Sequence, residues 1–178
     1  MRARTLAVFA VVAGLSAAGG VLYHLGSRGS AGPGGDPAEV LERILAAPHT
    51  DVKGEALRLG DWRGRVLVVN YWATWCAPCR DEIPVFVRMQ ERYGGRGLQF
   101  VGIAIDQPEQ VAEFAREFRI NYPLLLGGVE TIELVRQVGN RAGVLPYTLV
   151  IDRKGKLVSR ETGGLKEARL ERLIQPLL

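Results

Sequence analysis

The stretch RVLVVNYWATWCAPCRDEIP, residues 65–84, decides how the rest of the chain is read. Arg65 to Ala73 is a nearly continuous apolar run of strand length, the pattern of a central strand covered on both faces. The next segment reads as a helix from about Ala77 to Tyr93, with Ile83, Phe86 and Val87 on its buried side and Pro84 placed to kink it. At the junction lie Cys76 and Cys79, the only two cysteines of the 178 residues. Cys76 falls near the helix N-cap, where its sulfur faces unpaired backbone N–H groups and the positive end of the helix dipole. That setting favours thiolate, and pairs of this kind have pKa values of about 3.5 to 7.5. Cys79 lies one turn further in and is shielded, suited to attacking a mixed disulfide from within.

Three uses of such a pair compete. A structural disulfide between residues three apart closes too small a loop to constrain the unfolded chain much. A metal site needs further ligands, and beyond the N-terminal region only His49 and carboxylates are on offer, with no second C-x-x-C. A pair cycling between dithiol and disulfide needs no other residue type and suits an oxidising compartment.

Outward from this stretch, strands and helices alternate. LQFVGIAID (98–106) is a second core strand, and Val111, Phe114, Ala115 and Phe118 form the stripe of an amphipathic helix. A short strand at PLLL (123–126) precedes a helix around Ile132, Leu134, Val135 and Val138. The loop GNRAGVLP (139–146) then leads into a hairpin of YTLVID and KLVSRET. Leu170, Leu173, Ile174 and Leu177 close the chain with a last helical stripe. Upstream, Asp36 and Pro37 are an N-cap and first-turn signal for a short helix through Val40, Leu41, Ile44 and Leu45. The alternation implies an α/β fold whose sheet has an antiparallel edge.

The N-terminal residues are of another kind. Arg2 and Arg4 precede Thr5 to Gly26, a segment without Asp, Glu, Lys or Arg. A secretory apolar region runs to about 15 residues and a spanning helix needs roughly 20, so the length favours an uncleaved anchor. Ser16 and Ala18 still offer a small-x-small cleavage site. The basic flank places the amino terminus in the cytoplasm and everything after the segment outside, with Tyr23 and His24 near the outer interface. GSRGSAGPGGD (26–36) is a tether that would reach about 35 Å fully extended. The expected organisation is a signal anchor or signal peptide over 1–26, a flexible tether and short helix over 27–49, and one domain over 50–178.

Charge excludes one class of partner. Arg2 and Arg4 are two of the 23 Lys and Arg, and all 19 acids lie downstream, so the exported part carries only +2. With its arginines scattered singly, the chain shows no nucleic-acid footprint.

VVNYWATWCAPCRDEIP resembles the active-site segment of the thioredoxin superfamily, in its membrane-anchored bacterial branch of TlpA, ResA and CcmG type, and the resemblance covers about residues 50–178. It implies a thioredoxin-like fold, a central mixed sheet flanked by helices, preceded here by one N-terminal transmembrane helix. It also implies that Cys76 attacks and Cys79 resolves, alternating with a redox-active Cys76–Cys79 disulfide, and that Trp75 shapes the substrate surface. GVLPYTLVID resembles the segment with the family's cis-proline, which assigns Pro146. That residue would present the Leu145 backbone to a substrate strand and deny the pair a metal. No cofactor is implied.

Two departures refine the match. Thioredoxin has a buried aspartate six positions before the nucleophile, where this chain has Asn70, which cannot accept a proton. Glu82 resembles an acid of ResA-type reductases and shares a helical face with Cys79, so proton handling is expected to pass to it; the alternative is a surface salt-bridge residue. Secondly, about Gln107 to Glu130 insert a helix and a strand, as in the TlpA/ResA branch and in thiol peroxidases. A thiol peroxidase would call for Thr-x-x-Cys, but position 73 is Ala; a copper or zinc chaperone would need His49 beside the pair. Strong oxidants of the periplasm carry a His within the C-x-x-C, whereas Ala77-Pro78 suits a reducing pair. The resemblance thus implies an extracytoplasmic protein-disulfide reductase at the bacterial inner membrane, its domain in the periplasm, or soluble there if the signal is cleaved. It would receive electrons from a membrane thiol transporter of DsbD/CcdA type and pass them to apocytochrome c or another exported cysteine protein.

Overall fold

Strand β3, Val66–Trp72, is the centre of the computed structural model, which describes residues 36–178. The expected N-terminal helix, Tyr23, His24 and most of the tether lie outside the described residues. Every residue of β3 is buried, and successive side chains go to opposite faces. Val66, Val68 and Trp72 join one core cluster and Leu67, Val69 and Tyr71 the other. That is why the run is apolar without alternating: a strand with helices on both sides has no solvent face.

In chain order the elements are α1 (Pro37–Ala46), β1 (Pro48–Asp51), β2 (Ala56–Arg58), β3, α2 (Ala77–Tyr93), β4 (Leu98–Ala104), α3 (Pro108–Glu117), β5 (Leu124–Leu126), α4 (Val129–Gln137), β6 (Tyr147–Ile151), β7 (Leu157–Thr162) and α5 (Glu167–Ile174). They build one seven-stranded mixed sheet in the order β2-β1-β5-β4-β3-β6-β7. The strands β3, β4 and β5 run parallel; β1, β2, β6 and β7 extend the sheet antiparallel at both edges. This is the thioredoxin-like α/β fold, with α3 and β5 as the helix and strand expected between residues 107 and 130. In register, Asn70 of β3 sits between Gly102 of β4 and Thr148 of β6. A side chain on Gly102 would collide with Leu124 and the Trp72 indole, so only glycine lets that ring lie against the sheet.

One face carries α2, α3 and α5 over a core that includes Trp72, Phe86, Phe100, Phe114 and Ile174. The other carries α1 and α4 over Tyr71, Val101, Leu149 and Tyr147. The helix read as an appendage of the tether is therefore part of the core: Val40, Leu41, Ile44 and Leu45 are all buried in it. Its start is as expected, with the Asp36 carboxylate accepting from the Ala38 N–H at 3.0 Å. The compact unit begins at Asp36 rather than at 50. The β1–β2 hairpin has no signature in the sequence, because its two short half-exposed strands have neither an apolar run nor a clear alternation. No helix among the described residues is long and apolar enough to cross a membrane.

Candidate functional site

The site grows out of the β3–α2 junction. Cys76 is the N-cap of α2, with extended backbone, and its carbonyl accepts from the N–H groups of Cys79 (3.1 Å) and Arg80 (3.2 Å). Ala77 and Pro78 form the first turn, where a proline's missing N–H costs nothing. This geometry brings the two cysteines to a Cα separation of 5.3 Å, and their sulfurs are joined as a disulfide. Cys79 is fully buried, whereas Cys76 keeps 7% of its surface exposed. Trp75, before it, is 70% exposed. Pro84 lies inside α2, as expected.

The turn before Cys76 is held from the end of β4, a restraint that sequence reading missed. Asp106 Oδ2 accepts from the Thr74 N–H (3.0 Å) and from the Thr74 hydroxyl (2.5 Å), and Oδ1 accepts from the Gln107 N–H (2.9 Å). Partial burial pushes the Asp106 carboxyl up, but the Thr74 hydroxyl and these N–H donors outweigh it and hold the pKa below its ordinary value. Asp106 closes the stretch LQFVGIAID; an acid ending a core strand next to a cysteine loop is the signal that could have found it.

Facing Cys76 is the loop into β6. The Leu145–Pro146 peptide bond is cis, and the Pro146 carbonyl accepts from the Gly163 N–H at 2.9 Å, tying the bend to the end of β7. The N–H and carbonyl of Leu145 have no hydrogen-bond partner among the described residues. Leu145, Val144, Tyr71, Trp75, Cys76 and Pro78 border a cleft of about 520 Å³ that also receives Ile105, Ile132, Val135 and Asn140. None of these side chains is charged.

Behind the cysteines, Glu82 is only 3% exposed. Its Oε1 accepts from Asn70 Nδ2 at 2.7 Å and its Oε2 from the Leu165 N–H at 2.8 Å. Asn70 Nδ2 also reaches Thr148 Oγ1 at 3.0 Å, while Asn70 Oδ1 is buried with no partner among the described residues. Burial raises the Glu82 pKa to about 7 against the opposing pull of the Leu165 and Asn70 donors. Burial, with the Glu82 charge nearby, also raises that of Tyr122. Glu82 borders a second groove, about 400 Å³, with Pro78, Val85 and Leu165. A surface salt-bridge residue would be exposed and paired to a cation; Glu82 is neither.

The structure thus brings Cys76, Trp75 and Leu145 to one cleft, with Cys79 bonded to Cys76 from the buried side, Pro146 buried next to Leu145, and Glu82 further along α2. It does not bring His49 there. That residue is on β1, separated from β3 by β5 and β4, and its Nδ1 donates to the Leu126 carbonyl at 3.2 Å. Position 73 is a buried Ala, without the hydroxyl of a Thr-x-x-Cys arrangement.

Comparison with known proteins agrees with this geometry. Residues 40–160 match the model of the AhpC/TSA family. The thiol-disulfide oxidoreductase ResA of Geobacillus kaustophilus is 30% identical over 129 residues, 72% of each chain. A thiol:disulfide interchange protein of the thioredoxin family from Chlorobium tepidum superposes with a TM-score of 0.65 at 31% identity, over 74% of this chain and 94% of its own. A DsbF homologue from Corynebacterium diphtheriae shares the fold, with a TM-score of 0.67 at 23% identity over 75% of this chain and 85% of its own. The chain belongs to the AhpC/TSA family, and within it to the thioredoxin-like thiol-disulfide oxidoreductases of the ResA kind.

Proposed function

We propose that this oxidoreductase works as an extracytoplasmic reductase, tethered to the inner membrane by residues 1–26, that opens disulfides in exported proteins such as apocytochrome c. Cys76 is the attacking thiolate and Cys79 the resolving one. The observation that carries this assignment is their unequal placement: Cys76 alone borders the cleft and solvent, while Cys79 is sealed in the core.

A substrate strand lies across Trp75 and pairs with the free peptide groups of Leu145, which Pro146 turns toward the cleft. The Cys76 thiolate attacks one sulfur of the substrate disulfide, forming a mixed disulfide and expelling a substrate thiolate. Cys79 then loses its proton and attacks the Cys76 sulfur, releasing the second substrate thiolate and leaving the Cys76–Cys79 disulfide. Two electrons have passed to the substrate; a membrane thiol transporter of DsbD/CcdA type restores the dithiol. Glu82, poised near neutral pH and bordering the second groove, takes the resolving proton and passes it to solvent.

Trapping tests the scheme. Cys79→Ser leaves the attack intact but removes the resolving thiol, so covalent complexes with the physiological partner should accumulate on non-reducing gels and be identifiable by mass spectrometry. A cytochrome precursor is the expected catch. A different exported cysteine protein would redirect the substrate assignment, and absence of any adduct dependent on Cys76 would sink the mechanism.

A further inference from the structure

The loop between α4 and β6 carries the peptide groups on which strand pairing depends, and we propose that Asn140 is the residue that positions them. The inference rests on the reading of Leu145 as the strand-pairing residue. Asn140 is only 6% exposed. Its Nδ2 donates to the Val144 carbonyl at 2.9 Å, and its Oδ1 accepts from the Val144 N–H at 3.0 Å. Its own N–H donates to the Val135 carbonyl in α4 at 3.2 Å, and its carbonyl accepts from the Gly143 N–H at 2.9 Å.

The amide therefore grips both peptide groups of the residue immediately before Leu145 and ties them to the end of α4. Two-point pairing fixes orientation as well as position, since a single hydrogen bond would leave the peptide free to swivel. Two further bonds hold the loop's ends: the Tyr147 hydroxyl donates to the Val138 carbonyl at 2.8 Å, and the Pro146 carbonyl accepts from the Gly163 N–H at 2.9 Å. Neither touches Val144, whose N–H and carbonyl are held, among the described residues, by Asn140 alone. Val144, 42% exposed, forms a wall of the cleft, so its placement sets the cleft's width as well as the direction of the Leu145 groups. An ordered loop presents those groups without being ordered at the moment of binding, and that saving appears as affinity. Because its polar atoms are all engaged with the loop and with α4, Asn140 acts through Leu145 and takes no part in the exchange of sulfurs.

The test is single-turnover reduction of a disulfide-bridged peptide by pre-reduced full-length enzyme, read as a half-saturating concentration and a limiting rate. Asn140→Ala should raise the half-saturating concentration roughly tenfold and leave the limiting rate within about twofold. Asn140→Asp, which keeps the acceptor for the Val144 N–H but sets a carboxylate oxygen against the Val144 carbonyl, should raise the half-saturating concentration at least as much; it carries the measurement if the alanine variant does not fold. A second peptide has an ester in place of the amide whose N–H faces Leu145. The ester should weaken binding to the wild type and weaken it less in Asn140→Ala, because the misplaced partner already forfeits that bond. If the ester costs the wild type but neither variant alters half-saturation, or if only the limiting rate falls, the role of Asn140 is overturned while strand pairing stands. If the ester costs the wild type nothing, strand pairing fails and the proposal with it.

Discussion

Glu82 is the residue where burial and chemistry meet most closely. Its pKa is raised from the ordinary 4.5 to about 7, chiefly by burial. As pH rises, the unfolded chain therefore gives up this proton before the folded one does. The stability it contributes is complete below about pH 4.5 and is lost as pH climbs through about 7. Glu82→Gln should flatten that part of the melting-temperature profile, removing a penalty on the order of 3 kcal/mol at about pH 8. Calorimetry across the range checks it, and a slope unchanged from wild type would place the titration elsewhere. The same variant should slow exchange and displace its pH profile, because resolution loses its proton acceptor. In the reduced protein, Cys76 should alkylate much faster than Cys79 near neutral pH, since it sits at a helix N-terminus and is the more exposed of the two. Equal labelling would contradict their division of roles.

At the scale of elements, the joint between β3 and α2 is fixed by β4 through Asp106. Without that carboxylate the Thr74 N–H and hydroxyl lose their acceptor, and the turn that aims Cys76 is held only by the Cys76 N–H bond to the Ala73 carbonyl, at 3.2 Å. Asp106→Ala should cost about 1–3 kcal/mol in denaturant unfolding and slow the attack of Cys76 on a peptide disulfide. A loss of stability with no change in rate would make Asp106 a strut for the sheet alone. The helix–strand pair α3–β5 does its work by packing: Phe114 meets the Trp72 ring at 5.0 Å between centroids, supporting the end of β3 from the side away from the cleft.

For the whole molecule, the domain needs α1 and the tether needs a destination. Ile44→Ala or Leu41→Ala should each cost about 2–5 kcal/mol, and a chain begun at residue 50 should fail to fold, because the part of the sheet that α1 covers beside α4 would face water. A soluble, cooperatively melting fragment from residue 50 would contradict this. A reporter enzyme active only outside the cytoplasm should work when fused after Leu178, and release of the protein should require detergent. Release by osmotic shock alone would indicate cleavage near Ala18.

By itself the sequence determined the parts whose causes are local. The β3–α2 junction, the cysteines at its N-cap and most of the later helices and strands follow from periodicity, capping and turn chemistry, all of which act over a few residues. Resemblance then assigned Pro146 and pointed to Glu82. The packing of α1 was not legible, since an amphipathic stripe says that a helix buries one face but not against what. Nor was the environment of Glu82, whose two partners lie 12 and 83 residues away in sequence. The same holds for Asp106 at Thr74, 32 residues apart. Only the tertiary structure decided these, because burial and hydrogen-bond partners are set by segments that meet in space, and spacing along the chain carries no record of which segments meet.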